Sequence, residues 1–126
     1  MKTYDIDDTL LLAKELHPDA MKNNTGGYVV LNPRTTLDGD YIEGANTIKF
    51  DPLADSTCVA LQEWLRSTIQ DEESYIDIRG DDVKWHVNVI FFDNEKDRMI
   101  TTAYGYGNTI NEAVASVVLA IIKGRE

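Results

Sequence analysis

The stretch V-K-W-H-V-N-V-I-F-F, residues 83–92, constrains this chain more than any other. Its apolar residues recur at every second position, so Val83, Trp85, Val87, Val89 and Phe91 fall on one face of an extended strand. The opposite face carries Lys84, His86, Asn88, Ile90 and Phe92, polar at one end and apolar at the other. A strand of this kind needs neighbours, and the sequence supplies them. S-Y-I-D-I-R (74–79) alternates before it, with Gly80-Asp81-Asp82 as the turn. R-M-I-T-T-A-Y (98–104) returns after the D-N-E-K-D turn. Three strands joined by short turns predict an antiparallel meander.

Helical spacing flanks the meander. Asp51-Pro52 reads as a helix opening, with Asp as the cap and Pro at the first helical position. Behind it Cys58, Leu61, Leu65 and Ile69 recur on one side, while Gln62, Glu63 and Arg66 face water. At the end of the chain Thr109 and Glu112 fit a capping box. Ile110, Ala113, Val114, Val117, Val118 and Ile121 form the expected buried stripe, and Gly124 ends the helix. Near the start, Asp5, Asp7 and Asp8 place negative charge where a helix begins, followed by Leu10, Leu11, Ala13 and Leu16. His17-Pro18 closes that helix, since a residue before proline is pushed out of helical geometry. M-K-N-N-T-G-G reads as a polar turn. Y-V-V-L (28–31) reads as a short strand ended by Asn32-Pro33, with brief extended pieces at Tyr41-Ile42 and at I-K-F (48–50). A sheet with apolar residues on both faces needs cover on both sides. The expected fold is therefore α+β: an α-β-α sandwich, one domain over 1–126, whose antiparallel sheet is flanked by three helices.

Composition narrows the partners. The formal net charge is −10, and the Lys and Arg residues are scattered, so no basic patch gathers phosphates; direct nucleic-acid and anionic-membrane binding are not expected. Cys58 is the one cysteine, which excludes a disulfide framework and a thiolate metal cluster. It lies on the buried stripe of the second helix, where a free cysteine behaves as a small hydrophobe. The chain starts M-K-T-Y-D-I-D-D, with charge where a signal peptide needs an apolar core, so a cytosolic location is expected.

Two motifs carry candidate chemistry. Asp5, Asp7 and Thr9 spell D-x-D-x-T, the first motif of the haloacid dehalogenase phosphatases, in which the first Asp attacks phosphorus and Mg²⁺ bridges the group. That motif works at the end of a buried strand, and M-K-T-Y is too short and too polar to be one. Helix-terminal charge accounts for the three Asp residues, so no catalysis, cofactor or metal is expected. The second motif is A-Y-G-Y-G-N-T (103–109). Free N–H groups at the start of the last helix would suit an anion. Tyr104 and Tyr106 would stack on a base, and Asn108 would hydrogen-bond its edge. Gly105 and Gly107 would supply positive φ in the turn, with Thr109 as the helix cap. Arg79, Arg98 or Lys84 would add charge for an anionic ligand. Turn chemistry alone also explains these residue types. His86 and Asn88 share a strand face with Asp77 nearby; with no third group identifiable, they read as a half-buried histidine and its neighbour.

Three stretches also resemble the phage α-β-α sandwich domain family. K-W-H-V-N-V (84–89) matches its W-x-V strand, and A-Y-G-Y-G-N-T-I-N-E-A-V-A-S-V-V-L-A (103–120) its aromatic-Gly-x-T turn and alanine-rich helix. F-D-P-L-A-D-S-T-C-V-A-L-Q-E-W-L (50–65) matches its helix with a central aromatic. The likeness runs from Phe50 onward and leaves Asn24 to Thr47 unmatched. It implies a small phage or prophage accessory protein of the host cytoplasm, homo-oligomeric and not an enzyme. Such a protein would antagonise host defence by sequestering a small cyclic nucleotide signal. Alternatively, its acidic clusters at Asp71-Glu72-Glu73, Asp81-Asp82 and Asp93 to Asp97 would block a basic defence nuclease.

Overall fold

The computed structural model describes residues 4–23, 27–31, 34–38, 41–42, 48–69, 74–93 and 95–124. The chain is α+β, with three helices and antiparallel sheets among the described residues, and it divides into two compact units.

The first unit in chain order is Thr3–Pro52. Helix α1 (Ile6–Leu16) is capped by Asp5, whose carboxylate accepts the Asp8 N–H at 2.7 Å. Its charged start, which spells the phosphatase-like motif, is engaged in local bonds. The Thr9 hydroxyl donates to the Asp5 carbonyl at 2.8 Å, and Asp7 pairs with Lys22. The fully buried leucine of this helix is Leu12, beside Ala13. Strand β1 (Met21–Asn23) corrects the expectation of a polar turn there. It pairs antiparallel with β2 (Tyr28–Leu31), because Gly27, at φ 70°, takes the left-handed geometry that reverses the chain between them. β2 also pairs with β5 (Ile48–Lys49), while β3 (Arg34–Thr35) pairs with β4 (Tyr41–Ile42). The expected strand stop at Asn32-Pro33 lies outside the described residues.

The second unit holds Leu53–Glu126. Helix α2 (Asp55–Thr68) begins later than Asp51-Pro52 suggested, with Ala54 at the cap and no side-chain bond from it. The start is tied instead by Asn111 of the last helix, whose amide donates to the Leu53 carbonyl and to Asp55 Oδ1, each at 2.8 Å. Cys58, Leu61 and Leu65 are buried, as their spacing requires. Strands β6 (Ser74–Gly80), β7 (Trp85–Asp93) and β8 (Arg98–Gly107) form the expected meander in the order β6-β7-β8. Helix α3 (Ile110–Gly124) packs on β8 and β7 and against α2.

The inward face of the meander has Val87 and Val89 buried, with Ala103, Gly105 and Gly107 opposite them on β8. Val83 does not belong to this face. It sits in the β6–β7 loop, 74% exposed, because the Asp81 carboxylate draws the Val83 and Lys84 N–H groups into a turn. Trp85 is half-exposed and its indole lies over Gly80, where a Cβ would sit 3.1 Å from the ring.

The A-Y-G-Y-G stretch corrects a further expectation. β8 runs on to Gly107, so the turn shrinks to Asn108 and Thr109. Neither Gly105 nor Gly107 has positive φ; among the described glycines only Gly27 does. Their role is close approach. A Cβ on Gly105 would lie 2.3 Å from the Val117 nitrogen and 2.6 Å from the Ala113 carbonyl oxygen, and one on Gly107 2.3 Å from Glu112 Cβ. Helix α3 therefore rests with its backbone directly on the strand. Ala113, Val114, Ala115, Val117, Val118, Leu119 and Ile122 are buried; Ile122 replaces the expected Ile121, which is half-buried. Each fully buried valine or leucine contributes about 1.5–3 kcal/mol before chain entropy is subtracted.

Gly105→Ala is expected to destabilise the protein by about 3 kcal/mol, at the top of the range for overpacked interiors. Gly124→Ala, where an added methyl meets open space, serves as the control and should change stability by less than about 0.5 kcal/mol. Urea unfolding of both variants checks this; equal midpoints would contradict the close-approach role.

Candidate functional site on the outward face of the meander

Strand alternation sends the neighbours of those glycines the other way. Register places Arg79, His86 and Tyr106 in one cross-strand row and Asp77, Asn88 and Tyr104 in the next. All six therefore share the outward face. Three rings of this face form a ladder: His86 and Tyr104 stack at 5.9 Å between centroids and 23° between planes, Tyr104 and Tyr106 at 5.9 Å and 24°. Lys84 Nζ lies 4.7 Å from the Tyr106 centroid, a cation over a ring face. Arg79 Nε donates to Asp77 Oδ2 at 2.8 Å, which fixes the first row's cation beside the second row's carboxylate.

The histidine is bonded at both nitrogens. Nε2 lies 2.9 Å from Asp81 Oδ2 and Nδ1 lies 2.5 Å from the Tyr104 hydroxyl. A carboxylate only accepts, so Nε2 carries the proton that it donates to Asp81. In the neutral ring Nδ1 is then the acceptor, and the Tyr104 O–H donates to it. Asp81 is held in turn by the hairpin it closes: Oδ1 accepts the Val83 N–H at 2.8 Å and the Lys84 N–H at 2.6 Å. The Lys84 and Val83 amides, followed by the His86 ring, lower its carboxyl from 3.8 to about 2. The result is a carboxylate–imidazole–phenol chain that ends at an exposed tyrosine oxygen.

The helix start that sequence reading offered as an anion site carries a carboxylate of the chain's own. Glu112 is buried, its Oε2 accepts the Asn108 N–H at 2.7 Å, and its own N–H donates to the Thr109 hydroxyl at 3.2 Å. The capping box is present, with the carboxylate reaching one residue beyond the cap.

The eight residues proposed from sequence thus separate into four groups. Tyr104, Tyr106 and Arg79 meet on the outward face. Gly105 and Gly107 face the helix behind it, and Asn108 and Thr109 form the helix cap. Arg98 is paired with Asp93 at the far end of β8, eight residues from Tyr106 and roughly 26 Å away along the strand. Lys84 joins the face. Sequence reading did not identify Asp81 as the partner of His86 and looked to Asp77 instead. The available signal was an Asp followed two and three residues later by turn N–H groups, the Asx-turn pattern of D-D-V-K.

Among the described residues no cluster of three or more His, Cys, Asp or Glu is arranged to hold a metal ion, and no helix is long and apolar enough to cross a membrane. Compared with family models, curated proteins and solved structures, the chain matches none.

Because the folded pKa of Asp81 lies below its ordinary value of 3.8, the stability it contributes is complete above about pH 4 and is lost as pH falls toward 2. The difference in urea midpoint between the native chain and Asp81→Asn should therefore shrink across that window. A difference that stays constant from pH 5 to about pH 2 would contradict the assigned hydrogen bonds.

Proposed function

We propose that this protein works by binding, and that the outward face of the meander holds a small anionic nucleotide. One observation carries this reading: the near-parallel rings of half-buried His86 and exposed Tyr104 and Tyr106, with the Lys84 ammonium over the last of them. Aromatic side chains offer a stacking surface to any base, and a neighbouring cation draws the phosphate. The ligand meets this local positive charge against a net charge of −10, which favours a compact anion over a long polyanion.

The biological setting follows from the resemblance to the phage α-β-α sandwich family. In that setting the chain is a homo-oligomeric phage or prophage protein that removes a cyclic nucleotide immune signal from the host cytoplasm. A second reading rests on the net charge: the acidic surface docks on a basic defence protein, and that association weakens steeply with salt. Of its three acidic clusters, Asp71-Glu72-Glu73 lies outside the described residues.

Calorimetric titration with cyclic mono- and dinucleotides tests the first reading. Saturable binding is expected, weakened about 5- to 150-fold in Tyr106→Ala, the worth of one base–aromatic stack. The melting temperature of that variant should stay within about 2 °C, as for an exposed substitution. Equal binding by Tyr106→Ala, or none by the native chain, would sink this assignment.

A further inference from the structure

We propose that Tyr104 is an activated nucleophile, with His86 as its general base and Asp81 as the residue that positions the base. The inference goes beyond binding and rests on the geometry of three side chains, independently of which ligand the face holds. A nucleophile becomes competent when a base lies within hydrogen-bond reach and a third group orients that base. Tyr104 Oη lies 2.5 Å from His86 Nδ1, and His86 Nε2 lies 2.9 Å from Asp81 Oδ2. The order matters. Since Asp81 accepts the Nε2–H hydrogen bond, the lone pair of the neutral ring points at the phenol and not away from it.

Other features of the fold hold this arrangement in place. Asp81 cannot swing freely, because its second oxygen is bound to the Val83 and Lys84 amides of the hairpin. His86 and Tyr104 lie on adjacent, hydrogen-bonded strands in neighbouring rows, so strand pairing sets their separation. Stacking keeps the two rings within 23° of parallel. The reacting oxygen remains accessible, since Tyr104 is 43% exposed.

The electrophile this site fits is a phosphate ester. Lys84, its ammonium over the Tyr106 ring, places a cation on the face that carries Tyr104, and Arg79, in the His86 row, is paired with Asp77. As the Tyr104 Oη–P bond forms, the phenol proton passes to His86 Nδ1. The bond from phosphorus to the leaving oxygen then breaks, and the proton on Nδ1 moves to that oxygen as it departs. The products are a tyrosyl phosphate ester and an alcohol, with no electron acceptor or donor involved.

Three tyrosines of nearly equal exposure make the test internally controlled: Tyr75 at 45%, Tyr104 at 43% and Tyr106 at 45%. The full chain is treated with benzenesulfonyl fluoride, a small electrophile at a tetrahedral centre, and the labelled positions are timed by peptide mass spectrometry. Tyr104 should react about tenfold or more faster than Tyr75 and Tyr106, within what a positioned general base supplies. His86→Phe keeps a stacking ring but no base, and should bring Tyr104 down to the rate of Tyr106. Asp81→Asn should lower the Tyr104 rate in part. Equal rates at the three tyrosines of the native chain would overturn the proposal, as would an undiminished Tyr104 lead in His86→Phe. A native chain that binds no nucleotide yet labels fastest at Tyr104 would overturn the proposed ligand and leave the nucleophile standing.

Discussion

The second unit depends on the contact between helix α3 and strand β8. A helix normally keeps its distance from a sheet through the side chains between them. Here Gly105 and Gly107 remove those side chains, and the helix backbone at Ala113 and Val117 comes down onto the strand. Ala113, Val114, Val117 and Val118 of the helix are buried, as are Val87 and Val89 of the sheet it packs on. The same helix then reaches through Asn111 to hold the start of α2, so one close contact organises the sheet and both helices.

The face proposed to bind ligand is the reverse side of that contact. In A-Y-G-Y-G the period of two sends small residues inward at 103, 105 and 107 and aromatic rings outward at 104 and 106. The packing surface and the exposed aromatic surface are therefore written into alternate letters of one strand. The rings gain their order from across the sheet, where His86 bonds Tyr104 and is itself held by the hairpin carboxylate of Asp81. The stability of the meander and the geometry of the site rest on the same hydrogen-bonded ladder.

Much of this architecture was legible in the sequence because it follows from period. The meander, the capped last helix and the buried stripe of α2 all come from spacing that pairwise geometry enforces. Three features were not legible, each for a physical reason. Glycine in a strand serves close approach as well as positive φ, and the sequence does not distinguish them; Gly105 needed the helix above it to be seen. The start of α2 is set by Asn111, more than fifty residues away, which no local cap signal encodes. The Asp81–His86 bond crosses a hairpin loop whose shape depends on Asp81's own turn bonds, so attention fell on Asp77, which the strand pattern places nearby. Of the proposed ligand residues, the two tyrosines and Arg79 share a face by register, whereas Arg98 lies at the wrong end of a strand that proved longer than its apolar pattern.

The central claim is that recognition belongs to the outward face of the meander and not to the helix start behind it. Amide and side-chain chemical-shift mapping during titration with a cyclic dinucleotide tests that claim most directly. Perturbations are expected to centre on Lys84, His86, Tyr104 and Tyr106, with Asn108 to Glu112 nearly still because the Glu112 carboxylate already sits at that helix start. Perturbations centred on residues 108–112, or none at saturating ligand, would contradict that claim.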